Sequence, residues 1–103
     1  MTTINITGFL TDFTGGRNTI TLENAPRTVG EALQYLWQIH PGLRDRILTE
    51  QGKVRMHVNV FLEDENIRRK QLLDTELPEN SEITILPSVT GGMSDMLFQL
   101  VVD

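Results

Sequence analysis

The chain has 103 residues, 39% of them hydrophobic, which suffices for one domain with a core of its own and no metal or disulfide staple. It contains no cysteine, so disulfides, thiolate metal sites, cysteine nucleophiles and persulfide chemistry on this chain are excluded. A formal charge of −5 argues against a nucleic-acid partner, whose phosphates would be repelled.

The opening MTTINITGFL has no basic region ahead of its apolar residues, and no later stretch approaches the ~20 apolar residues of a membrane span. The expectation is a cytoplasmic protein with no membrane partner. Ile4, Ile6, Gly8 and Leu10 alternate with Asn5, Thr7 and Phe9, the period-two pattern of a strand with one buried face. Gly15-Gly16 offers a tight turn, and Thr19 to Leu22 alternates again, so this opening reads as a β-hairpin.

A helix follows. Thr28 and Glu31 have the spacing of a capping box. Val29, Leu33, Leu36, Trp37 and His40 form one stripe of a 3.6-residue period, and Pro41-Gly42 ends it. Leu43, Ile47 and Leu48 suggest a further turn or two of helix. In VRMHVNVFLED the alternation predicts a long strand with Val54, Met56, Val58, Val60 and Leu62 inside and Arg55, His57, Asn59 and Phe61 outside. After the acidic turn Glu63 to Asn66, Ile67 to Lys70 is expected to pair back as a short strand; Pro78 to Ser81 turns the chain, and Glu82 to Leu86 makes the last core strand. The order β, β, α, β, short β, β has one compact solution, an α+β roll: a mixed sheet with one main helix packed across a face and a right-handed crossover.

Catalytic chemistry is hard to find in this sequence. His40 and His57 lack the spacing of metal ligands, and no serine sits in a G-x-S-x-G turn. Gly15-Gly16-Arg17 has no lysine or following helix to make a phosphate loop, and Glu63, Asp64 and Glu65 read as a solvated turn. The basic run Arg68-Arg69-Lys70 reads as a solvated edge. No cofactor, no metal and no intrinsic enzyme activity are expected.

What remains is Gly91-Gly92, close behind the last strand. Taken alone, a glycine pair there is an ordinary bend. Its context is more specific. The segment HVNVFLEDENIRRKQLLDTELPENSEITILPSVTGG resembles the second half of the ubiquitin-like (β-grasp) sulfur carriers, a family that includes the molybdopterin-synthase small subunit, the thiamine sulfur carrier and the cysteine-synthesis sulfur carrier. The resemblance rests on Val58-Asn59-Val60, Leu73-Asp74-Thr75 and Leu86-Pro87-x-Val89-x-Gly91-Gly92, and in the first half on Thr14-Gly15-Gly16 and Thr28-Val29-Gly30-Glu31-Ala32-Leu33. It covers most of residues 3–92. Among the branches the cysteine-synthesis carrier is the most similar, through Phe13-Thr14-Gly15-Gly16 and Asn59 to Glu65. At Glu79-Asn80-Ser81-Glu82 the chain departs from the aspartate-glycine-aspartate turn usual in the family.

The resemblance implies a mechanism. The carboxylate of the terminal glycine is adenylated by a separate ATP-dependent enzyme and converted to a thiocarboxylate, which delivers sulfur to an acceptor held by a synthase. It assigns Gly92 as the reacting residue, with Gly91, Val89 and Thr90 completing an extended arm. Phe61, placed outside by strand alternation, is assigned to the surface that holds the activating partner. In this chain Met93 follows Gly92, so the Gly92 carbonyl is an amide that cannot be adenylated in the ordinary way. Residues 1–92 are therefore expected to form the carrier domain and residues 93–103 an extension, removed at Gly92–Met93 by a protease of the zinc-dependent deubiquitinase-like kind. Two readings compete: a ubiquitin-like modifier joined to target lysines through Gly92, and a noncatalytic binding module that keeps its extension as an assembly strand.

Overall fold

The apolar alternation at the start of the chain builds a strand shorter than its pattern. In this computed structural model, which describes residues 1–87, β1 spans Thr2–Ile6 and buries Thr2, Ile4 and Ile6. Gly8 takes φ +63, a left-handed conformation that breaks the extended chain. The backbone there enters a 3-10 helix, Gly8–Phe13, which buries Leu10. The strand expected as far as Leu10 thus ends at Ile6. β2, Thr19–Leu22, returns antiparallel with Thr2 opposite Leu22 and Asn5 opposite Thr19. The expected hairpin is present, but its connection runs through the 3-10 helix, and Gly15-Gly16 is only its last bend.

The main helix, α1, is Val29–Ile39. Its start obeys the capping chemistry: the Glu31 N–H donates to Thr28 Oγ1 at 3.1 Å. The return contact falls one residue early, with the Arg27 N–H donating to Glu31 Oε1 at 3.2 Å. The first bond occupies a donor that the first turn leaves without a helical partner, and the second ties the residue before the cap to the helix. Val29, Ala32, Leu33 and Leu36 are buried, and Trp37 packs at the margin of the core. Pro41 opens a 3-10 turn, Pro41–Leu43, and α2, Arg44–Ile47, follows with Leu43 and Ile47 buried.

β3 is Val58–Leu62, with Val58, Val60 and Leu62 inward. The longer strand expected from Val54 is interrupted. Val54 makes only an isolated bridge to Leu48, the Val58 N–H turns back to the Arg55 carbonyl at 3.1 Å, and Met56 is exposed where burial was expected. The short strand is also displaced. β4 is Glu65–Asn66, and the residues expected to pair, Ile67 onward, form a 3-10 turn, Ile67–Arg69. The cause is Asn66, whose side-chain oxygen accepts the Arg68 N–H at 3.0 Å and draws the chain out of the ladder. A further 3-10 turn, Leu72–Asp74, packs against α1. β5 is Glu82–Pro87.

The sheet order is β2-β1-β5-β3-β4. β1 and β5 are parallel, with Ile4 beside Ile83, while β3 and β5 are antiparallel, with Val60 opposite Ile85. The inward residues of β1, β5 and β3 meet Val29, Leu33 and Leu36 of α1 in one core. This is the expected mixed sheet with a helix across one face, a β-grasp roll. Val89, Thr90, Gly91, Gly92 and residues 93–103 lie outside the described residues.

Candidate functional site

β5 is the central strand of the sheet, so the last described residue, Pro87, emerges between two neighbours. On one side Pro87 stands opposite Val58 of β3. On the other, the Thr7 N–H and the Thr7 hydroxyl both donate to the Ile85 carbonyl, at 3.2 and 2.9 Å. Beyond that pair the buried Pro87 ring packs over Gly8, where a Cβ would meet Pro87 Cγ at 2.9 Å. Pro87 cannot donate a ladder hydrogen bond and its φ is fixed by the ring, so this position is held by packing and by Thr7. The strand end is thereby fixed at the point where residues 88–92 begin.

The outer face of the sheet follows from the same register. Asn5, Thr84, Phe61 and Asn66 form one row across β1, β5, β3 and β4, and Leu86 stands opposite Asn59 one row nearer the strand end. Phe61 is half-buried in that row and Leu86 is exposed. The polar members are mutually tied. Asn5 Nδ2 donates to Thr84 Oγ1 at 3.4 Å, Asn66 Nδ2 to Asn59 Oδ1 at 3.1 Å, and the Arg68 guanidinium to Asn59 Oδ1 and the Arg55 carbonyl, both at 2.8 Å. Arg68 is thus a brace between β3 and the loop before it. Lys70 pairs with Glu65 at 3.2 Å, a surface ion pair worth at most about 1 kcal/mol.

Among the assigned residues only Phe61 lies within the described chain, on the outer face, as alternation predicts. Gly92, Gly91, Val89 and Thr90 lie beyond it. The sequence reading missed Thr7, Gly8, Leu86 and Arg68. For Gly8 a signal existed, since a glycine inside a strand pattern often marks a bend or a close backbone approach. Among the described residues no group of three or more His, Cys, Asp and Glu side chains has a metal-binding arrangement, and no helix is long and apolar enough to cross a membrane.

Comparison with known proteins adds what the geometry leaves open. Residues 4–92 match the profile of the ThiS family. The sulfur carrier protein CysO of Mycobacterium tuberculosis is 29% identical over 92 residues, which is 87% of this chain and 97% of the relative. The crystal structure of the Amycolatopsis orientalis BexX/CysO complex contains a chain that superposes with a TM-score of 0.80 at 30% identity, covering 89% of this chain and 100% of that one. The crystal structure of SAMP1 from Haloferax volcanii gives a TM-score of 0.71 at 26% identity, covering 88% of this chain and 98% of that one.

Proposed function

This chain belongs to the ThiS family of ubiquitin-like sulfur carriers and modifiers, and on that premise we propose that it carries sulfur on Gly92 once residues 93–103 have been removed. The single observation behind this reading is that the family match ends at residue 92, on the second glycine of the pair. Residues 1–92 are then the carrier domain and the remainder its extension.

The chemistry runs in three balanced steps. Hydrolysis of the Gly92–Met93 peptide bond, by a zinc-dependent deubiquitinase-like protease, gives a free carboxylate on Gly92. That carboxylate oxygen attacks the α-phosphorus of ATP on an adenylating partner, and pyrophosphate leaves. The product is an acyl-adenylate, in which AMP has become a good leaving group. A sulfide-level donor such as hydrosulfide then attacks the carbonyl carbon; the C–S bond forms, the C–O bond to AMP breaks, and a proton is lost to give the thiocarboxylate. Its sulfur is the nucleophile delivered to an acceptor on a synthase; the CysO relatives favour cysteine-type biosynthesis over molybdopterin or another sulfur metabolite. In these steps the reacting group of this chain is the Gly92 carboxyl terminus itself, and no side chain is asked to act as a nucleophile. The chain's further contribution is an arm without side-chain bulk at Gly91 and Gly92, suited to a narrow channel, with Val89 and Thr90 leading into it from a fixed strand end. The outer face around Phe61 is the surface offered to the adenylating enzyme, in the cytoplasm, and the BexX/CysO complex supports the view that a carrier of this shape docks on another protein.

ATP–pyrophosphate exchange tests the reading. A chain ending at Gly92 supports exchange with its adenylating enzyme and the 103-residue chain does not; exchange by the long chain would overturn the requirement for cleavage. The likeness to SAMP1 favours a second reading, conjugation through Gly92 to target lysines. It predicts isopeptide-linked products in extracts supplied with ATP, where a pure carrier gives only the thiocarboxylate.

A further inference from the structure

The run Arg68-Arg69-Lys70 is exposed, but its members differ in what they meet. Lys70 pairs with Glu65 at 3.2 Å. Arg68 pairs with no carboxylate among the described residues. Its guanidinium donates instead to Asn59 Oδ1 and to the Arg55 carbonyl, both at 2.8 Å, and both acceptors are neutral. These bonds use two of the five N–H donors an arginine has. The charge is thus held in place and left uncompensated.

Asn59 ties that charge to the outer face of the sheet. It stands opposite Leu86, and Phe61, two residues on along β3, faces the same way. Asn66, opposite Phe61, donates to the same Asn59 oxygen at 3.1 Å. Phe61, Asn59, Leu86 and Arg68 are therefore neighbours, linked by strand register and hydrogen bonds. An aromatic ring, an exposed leucine and an arginine side by side are the residue types that anchor protein interfaces. Because Arg68 is already fixed, it has little rotamer freedom left to lose on binding.

We propose that Arg68 is the charged anchor of the docking face and takes a carboxylate side chain of the adenylating enzyme in a charge-assisted pair. The proposal rests on the carrier reading. In that reading the anion is not a phosphate of the nucleotide: an extended arm of residues 88–92 sets the Gly92 carboxyl up to roughly 17 Å past Pro87, whereas Asn59, which holds Arg68, pairs with Leu86 one row before it. A chain of formal charge −5 repels an acidic partner as a whole, so its attraction to a carboxylate has to be local. Arg68 then sets the register of docking rather than its long-range steering.

Asn59→Asp separates an anchor from a brace. The substitution keeps an oxygen for Arg68 and Asn66 to bond and turns the Arg68 contact into an ion pair, so the brace persists while the guanidinium is neutralised. In ATP–pyrophosphate exchange by chains ending at Gly92, Asn59→Asp should raise the KM for the carrier by roughly tenfold and leave kcat unchanged. Its urea midpoint should not fall below that of the unsubstituted chain. Arg68→Gln should raise KM to a similar extent. Arg69→Gln, which removes the same charge from an exposed neighbour, should change it by no more than about twofold. An unaltered KM in Asn59→Asp would reduce Arg68 to a brace and overturn the proposal. Equal rises in the two arginine variants would assign the effect to net charge and overturn it as well. Either result leaves the carrier reading standing, whereas an unsubstituted chain that is never adenylated would refute that reading and the anchor together.

Discussion

Pro87 lies so close over Gly8 that a Cβ at residue 8 would stand 2.9 Å from the proline Cγ. Gly8 also has φ +63, so an alanine there meets two separate penalties. Gly15 is the natural control, with φ +67 and nothing within 4 Å of its built Cβ.

Gly15→Ala should therefore cost only the left-handed backbone penalty, about 1–2 kcal/mol. Gly8→Ala should cost more, by roughly a further 1–3 kcal/mol of overpacking against Pro87. Urea unfolding of both variants measures the difference. Equal losses would mean that Pro87 simply moves aside and does not fix the strand end.

At the helix start, Thr28→Ala removes the acceptor of the Glu31 N–H and should destabilise the fold by about 1 kcal/mol. Thr28→Ser keeps the hydroxyl and should retain most of that stability. Thermal unfolding of the pair separates the cap from the loss of a methyl group.

Phe61 should matter to docking more than to folding. It is half-buried on the outer face, away from the Val58, Val60 and Leu62 side that builds the core. With the chain ending at Gly92, Phe61→Ala should raise the KM for the carrier in adenylation by roughly tenfold, about 1.4 kcal/mol of binding, and leave kcat unchanged. An unaltered KM would remove Phe61 from the docking surface.

Local signals were the legible ones. The Thr28 and Glu31 spacing located α1, and alternation placed Val58, Val60 and Leu62 inward and Phe61 outward. Alternation failed where a hydrogen bond outside the strand intervened. Met56 fits the inner pattern, yet the Arg55 N–H bonds to the Ile47 carbonyl at 2.9 Å and the Val58 N–H to the Arg55 carbonyl, which turns the chain outward there. Ile67 to Lys70 fits a strand, yet the Asn66 side chain captures the Arg68 N–H. At the candidate site the hold of Thr7 and Gly8 on Ile85 and Pro87 joins residues far apart in sequence. It depends on β1 and β5 being parallel neighbours, a relation that no local pattern carries. The Gly91-Gly92 assignment came from the opposite source, a resemblance over most of residues 3–92, because a glycine pair by itself is compatible with any bend.

The central claim is that Gly92 carries sulfur, and intact-mass analysis tests it most directly. The chain is incubated with its adenylating enzyme, ATP, a sulfide donor and the processing protease. The account predicts a species ending at Gly92 whose mass corresponds to replacement of one carboxylate oxygen by sulfur, absent when ATP is withheld. A chain cut after Gly92 that is adenylated but never gains sulfur would contradict it, and one that is never adenylated would contradict the modifier reading as well.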